Sequence, residues 1–294
     1  PPSAFKLADA EGNELSASEG IRVPAGDFSA KIMVKVGQLN SKDFPANKKY
    51  AIPLSITGAS NYSLIPSQRS AILLLNRSIL SSVAKVSGGE GIRIKPVGMH
   101  TKAEWTIQMS AIYSSLTRSN LTTAYLSNGT GGEFYTRISS TAGIQVKNGR
   151  DGDDTWTQTP LQAGKWLHIT YVHKDKKTTV YVNGKVQKVF ENSAITFGEN
   201  SMIVVGNSGY RNDYLREIRL WDKALTESEI NDYLYLPMDP ATPHLISYLP
   251  LSKEMETKDL KAPAGTENVT TKARIEYVEN VKFPADELVI VNQE

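Results

Sequence analysis

The stretch from Gly164 to Lys185 constrains the fold more than any other. Trp166-Leu167-His168-Ile169-Thr170-Tyr171-Val172 and Thr179-Val180-Tyr181-Val182 are β-branched and aromatic segments of strand length, separated by a polar turn. Asn183-Gly184 ends the second with two residues that tolerate positive φ, a strong hairpin signal. A third apolar strand follows at Leu215-Arg216-Glu217-Ile218-Arg219-Leu220-Trp221. Behind it, Thr226 and Glu229 make a capping box that starts one short helix, and helical periodicity is confined to Thr226 to Leu236. Trp166 and Tyr171 are expected to fill the space between two sheets. Packing, rather than ligand contact, is the expected role of Trp166, His168, Tyr181 and Trp221.

Strand patterns recur on either side of this stretch. Ala30 to Val36, Tyr50 to Ile56 with Pro53 at an edge or bulge, and Ala71 to Leu75 are broken by turn residues, so residues 1–78 read as an all-β module. Trp105 to Ala111, Ala124 to Leu126, Glu133 to Ile138 and Gly143 to Lys147 recur at sandwich spacing. Ser81-Ser82 and Gly88-Gly89-Glu90-Gly91 suggest a boundary, with a linker near Ser78 to Val86 and a second domain over 87–294. A length of 294 residues suits a small domain followed by a larger one.

Composition removes several classes of function. The 33 Lys and Arg are interspersed with 31 Asp and Glu, which leaves no basic footprint for nucleic acid or an anionic membrane surface. There is no Cys, hence no disulfide, thiolate nucleophile or Cys-based zinc site, and four His make an imidazole metal cluster improbable. No apolar run approaches the roughly 18 residues of a membrane span, and no charged-then-apolar leader is visible. Gly-x-Ser-x-Gly, Walker and GxGxxG signatures are missing from any strand-to-helix context.

Two family resemblances follow from these motifs. The Val23-Pro24-Ala25-Gly26 turn, a Val-Lys-Val strand and Tyr50 to Thr57 resemble the N-terminal immunoglobulin-like module, a domain of unknown function, of surface glycan-handling proteins in gut Bacteroidota. Trp166-x-His168-Ile169-Thr170-Tyr171-Val172, then Val180-Tyr181-Val182-Asn183-Gly184-Lys185, then Ile218-Arg219-Leu220-Trp221 with Ala224-Leu225-Thr226-x-x-Glu229-Ile230, closely resemble the laminin-G-like, concanavalin A-like jelly roll over about Ile92 to Leu236. The resemblances imply an all-β chain, an immunoglobulin-like β-sandwich followed by a jelly-roll sandwich. His244 to Leu251 resembles an opening strand of such domains, which implies a sandwich completed by C-terminal strands within 244–294. Where the family shows Gly-x-Ile-Asp, this chain has Tyr214-Leu215-Arg216-Glu217 before Ile218, so no family role is carried over to it.

Two polar stretches are the candidates for chemistry. Asn207, Tyr210, Arg211, Asn212, Asp213 and Tyr214 form a run, read as a loop, of amides, charges and aromatic rings. Sugars are held by such mixtures, hydroxyls on the polar groups and C–H faces on rings. Trp156, Tyr135 and Tyr113 on other expected loops would extend a glycan platform. Asp151, Asp153 and Asp154 place three carboxylates on one turn, the ligand type calcium prefers, although a solvated acidic turn is the favoured reading and no cofactor is required. A glycosidase needs paired carboxylates about 5 to 9 Å apart, and no strand of alternating acids supplies them.

The expected function is therefore non-catalytic glycan binding within a polysaccharide utilisation system. A protein-interaction module without a sugar site is the alternative, and a glycoside hydrolase is third. The resemblance further implies export, a cell-surface or periplasmic place, protein partners in an uptake complex, and membrane association only through a lipid anchor upstream of Pro1.

Overall fold

The computed structural model describes residues 4–16, 20–37, 39, 43–45, 48, 50–75, 78–97, 102–117, 122–125, 134–147, 152–191, 194–198, 200–206 and 210–292. The chain divides into two compact units, Pro1–Leu75 and Asn76–Glu294. In the first, β1 (Phe5–Ala8), β2 (Glu14–Leu15) and β3 (Met33–Val36) form an antiparallel sheet in the order β2-β1-β3. Separately, β4 (Tyr50–Ser55) pairs antiparallel with β5 (Ser70–Leu75). Pro53 has no N–H to give, and it sits in β4, which among the described residues pairs only with β5.

The second unit is a two-sheet sandwich. Its strands are β6 (Ile79–Gly88), β7 (Ile92–Ile94), β8 (Trp105–Ile112), β9 (Thr122–Tyr125), β10 (Phe134–Ser139), β11 (Gly143–Lys147), β12 (Trp166–Lys174), β13 (Lys177–Val182), β14 (Lys185–Glu191), β15 (Met202–Val205) and β16 (Tyr210–Trp221). Helix α1 (Glu227–Asp232) follows, then β17 (Leu245–Leu249), β18 (Val269–Thr270) and β19 (Arg274–Phe283). One sheet has the order β11-β10-β9-β15-β7-β18. The other runs β14-β13-β12-β8-β16-β6-β19, with β17 also paired to β16. The C-terminal strands thus join both sheets. Among the described residues no helix is long and apolar enough to cross a membrane.

The residues expected as linker are strand. β6 lies between β16 and β19, and its Val83, Ala84 and Val86 are buried. Ser81 and Ser82 imitate a linker because both are small and polar. In the sheet they sit opposite an irregularity in β19, and Ser82 Oγ accepts from Lys253 N at 2.8 Å.

Alternation sorts the eight-stranded sheet into two buried faces. Trp105, Ile107, Met109 and Ala111 of β8 and Leu167, Ile169 and Tyr171 of β12 join the core between the sheets. The opposite face carries Thr106, Gln108 and Ser110 with Trp166, His168 and Thr170, all buried as well. A second apolar cluster, with Val172, Tyr181, Trp221, Ile230, Met238 and Tyr248, contributes to covering that face. Trp166, expected between the sheets, is not there: its odd spacing from Tyr171 puts it on the outer face, against Phe283.

Candidate functional site

The outer face of the six-stranded sheet presents partly exposed side chains beside the 152–157 turn. In β10, Phe134, Thr136 and Ile138 are buried while Tyr135, Arg137 and Ser139 alternate with them at half burial. In β11, Ile144 and Val146 enter the core, which leaves Gln145 and Lys147 on the other face. The register pairs Tyr135 with Lys147 and Arg137 with Gln145. Both cations lie over the Tyr135 ring, with the Arg137 guanidinium carbon 5.8 Å and Lys147 Nζ 5.6 Å from its centroid.

Trp156 is brought to the same place by the chain that follows β11. It forms an antiparallel bridge with Gln145, so Trp156, Gln145 and Arg137 make one row across the sheet edge. Gln145 Nε2 donates to Thr155 Oγ1 at 2.8 Å, and Thr155 Oγ1 donates to Gly152 O at 2.6 Å. Lys188 Nζ ties the turn to β14 by donating to Asp154 O at 2.8 Å and Trp156 O at 2.7 Å. Thr157 N donates to Ile144 O at 2.9 Å, and Thr157 Oγ1 accepts from Ile144 N at 3.0 Å. Gln145 Oε1 and Arg137 Nε, across the β10–β11 pair, have no hydrogen-bond partner among the described residues, an uncommon condition for buried atoms.

The other sequence candidates are dispersed. Tyr113 was expected on a binding loop but is 1% exposed and belongs to the core between the sheets. Residues 210–214 are not loop but the start of β16, because their backbone pairs with β6. Asp213, 0% exposed, accepts from Ser114 N at 2.9 Å and Ser114 Oγ at 3.1 Å, which commits its carboxylate to the fold. Asn212 is exposed at a register shift, with φ of 61°. Tyr214 is half-buried and pairs with Ile112 and Lys85, in the eight-stranded sheet and away from Tyr135. Asn207 lies outside the described residues, as do the side chains of Tyr210 and Arg211.

The acidic turn is only partly described. Asp151 and the side chain of Asp153 lie outside the described residues, and Asp154 is exposed. Among the described residues no group of three or more His, Cys, Asp or Glu could hold a metal ion. The three buried carboxylates that are described have structural partners. Besides Asp213, Glu217 accepts from Arg219 and Tyr248, and Asp259 from Ser247 Oγ, Tyr248 N and Asn268 Nδ2.

Sequence reasoning missed Arg137, Gln145, Lys147 and Lys188. The first three had a legible signal, since residues two apart in a strand share a face: Tyr135 with Arg137, and Gln145 with Lys147. Lys188 had none, because its partners are carbonyls brought near by the packing of two sheets.

A laminin-G-type family model, described as the concanavalin A-like lectin/glucanases superfamily, matches residues 87–231. The second unit has the concanavalin A-like jelly-roll fold. Among solved structures, a protein of Bacteroides ovatus ATCC 8483 whose description proposes carbohydrate binding superposes with a TM-score of 0.55 at 18% identity, covering 97% of this chain and 80% of that one. Looser likenesses include the SAP-like pentraxin of Limulus polyphemus, TM-score 0.45 at 13% identity, with 68% of this chain and 94% of that one covered. Another is domain 4 of an extracellular arabinanase from Geobacillus stearothermophilus, in complex with arabinotriose, TM-score 0.41 at 15% identity, with 62% of this chain and 86% of that domain covered. No curated protein matches the sequence.

Proposed function

We propose that this protein binds carbohydrate without transforming it, through the outer face of the six-stranded sheet. The observation that carries the reading is the meeting of Tyr135 and Trp156 on one sheet edge with Arg137, Gln145 and Lys147 between and beside them. Partly exposed rings stack on the apolar faces of sugars, and the flanking polar groups fix hydroxyls or acidic substituents. The jelly-roll fold and the described carbohydrate binding of the Bacteroides ovatus likeness support it. Asp213, Glu217 and Asp259 are committed to structural partners, so none of these three is poised as an acid or nucleophile. With this reading go export, a place at the cell surface and work within a polysaccharide uptake system.

Affinity electrophoresis across a polysaccharide panel tests it. Retention on at least one polymer is expected, weakened roughly tenfold by Tyr135→Ala or Trp156→Ala, the worth of one stacking contact, and unchanged by Tyr214→Ala on the other sheet. Retention by none of the panel, with folding intact, would sink the proposal. Calcium at Asp151, Asp153 and Asp154 is a separable part of it, and a melting temperature unmoved by calcium and by chelator removes that part alone.

A protein-interaction role is favoured by one specific observation in the first unit. Ile72 and Leu74, two residues apart on one face of β5, are 69% and 73% exposed, unusual for large apolar side chains that share a strand face. In that case no polysaccharide is retained, and deletion of the β4–β5 hairpin abolishes capture of a partner.

A further inference from the structure

A second polar cluster lies under the outer face of the eight-stranded sheet, in the other sheet from Tyr135. Arg216 pairs with Ser110, and Ser110 with His168; in the next row Arg219 pairs with Gln108, and Gln108 with Thr170. A bulge between Arg216 and Arg219 puts Glu217 at φ 56°, so that both arginines and the glutamate between them are buried.

The two arginines differ in how they are satisfied. Arg219 donates to Glu217 Oε2 from Nη2 at 2.6 Å and from Nε at 3.2 Å, and to the carbonyls of Tyr233 and Leu236. Arg216 donates from Nη1 to Tyr235 O at 3.1 Å, while its Nη2 stands 3.6 Å from Glu217 Oε1, beyond hydrogen-bond reach. Its Nε and Nη2 have no acceptor among the described residues. These two nitrogens form the parallel side-on edge with which a guanidinium grips an anion bidentately.

Trp166 adds a third donor beside the same ring. The Arg216 guanidinium carbon lies 4.0 Å from the Phe283 ring centroid, and the Trp166 ring lies 5.0 Å from it at 58°. Trp166 Nε1 also has no acceptor among the described residues, and Arg216 and Trp166 are 1% and 4% exposed.

Charge points the same way. Two guanidiniums face one carboxylate, Glu217, to which Tyr248 donates its hydroxyl. His168 cannot add a negative partner, and burial with the two nearby arginines holds its pKa well below the usual imidazole value, so it stays neutral. Among the described residues one positive charge of this buried cluster is left in excess, and an uncompensated buried charge is destabilising.

We propose that a small monovalent anion, of which chloride is the probe, binds between the Nε/Nη2 edge of Arg216 and the indole N–H of Trp166, against Phe283. The near-complete burial of both donors selects an ion of halide size over a polymer-linked acid. The anion completes the packing of the outer face and does not depend on glycan binding.

Thermal melts of the full chain at fixed ionic strength, with chloride replacing gluconate, test this together with a bromide-soaked crystal. The melting temperature should rise saturably with chloride, and bromide should give an anomalous peak within hydrogen-bond reach of both residues. Trp166→Phe keeps the ring and removes the donor, so it should raise the chloride midpoint roughly tenfold, the worth of a hydrogen bond to a charged group. Arg216→Met should abolish the dependence; if it does not fold, Trp166→Phe and the bromide map decide alone. Equal melting in chloride and gluconate, or a map with no anomalous peak there, overturns the proposal.

Discussion

At the scale of single residues, the site depends on backbone conformations only glycine adopts freely. Gly143 opens β11 at φ 79°, and a Cβ there would come within 2.2 Å of Thr157 Oγ1 and 2.5 Å of Thr159 O. The segment carrying Trp156 packs against β11 at that closeness. Gly143→Ala must push it away, adding strain at positive φ to the loss of the Thr157 contacts. Glycan retention should fall as far as in Trp156→Ala, with a loss of stability of about 1 to 3 kcal/mol. Retention equal to wild type in a folded Gly143→Ala protein would show that Trp156 need not be held there. Asn183-Gly184 was legible because positive φ is a local demand: the two sit at φ 50° and 76°. The fates of Tyr113 and Asp213 were not, because the core that takes up Tyr113 and the Ser114 groups that bind Asp213 come together only when the sheets assemble. A polar run rich in Asn, Asp and Tyr reads as loop until its backbone partner is known, and here β6 was that partner.

Elements separate into those with their own signal and those defined by neighbours. The helix has one: Thr226 Oγ1 accepts from Glu229 N at 3.3 Å, and Glu229 Oε2 accepts from Thr226 N at 2.9 Å, the reciprocal capping box expected from Thr-x-x-Glu. Thr226→Ala should destabilise the second unit by about 1 kcal/mol in chemical denaturation. Because α1 packs Ile230 in the cluster on the eight-stranded sheet, glycan retention should not change. A parallel loss of retention would mean that the binding face lies under the helix rather than on the six-stranded sheet. Strand β6 shows the opposite case, since Ser81-Ser82 carries no periodic signal and is held in place by β19 and Lys253 N, while β16 pairs only with the residues from Ala84 to Gly88. Strands β8, β10 and β12, with strong alternation or aromatic content, needed no such help to be found in the sequence.

For the whole molecule, the acid limit of stability is set by strand β12, which buries a histidine on each face. His173, stacked on Trp105, is contacted by Thr178 Oγ1 at Nδ1, and its Nε2 accepts from Ile195 N at 3.2 Å. A proton on Nε2 would confront that N–H, and burial pushes the pKa of His173 down to about 4. His168 is held well below the usual imidazole value by burial and by Arg219 and Arg216. In the unfolded chain both titrate near 6.5, so between pH 6.5 and about 4 the unfolded state binds protons that the folded state refuses. Stability is then complete above pH 6.5 and declines as pH falls through this window, by about 1.4 kcal/mol per pH unit for each histidine fully linked. Denaturant midpoints at pH 7.5 and pH 5 should differ accordingly, before the carboxylates titrate. His173→Gln should remove about half of the slope, because His168 continues to refuse its proton on the opposite face. A midpoint that stays level from pH 7.5 to pH 5 would mean that protons reach these rings without unfolding, and hence that β12 is not sealed on both faces.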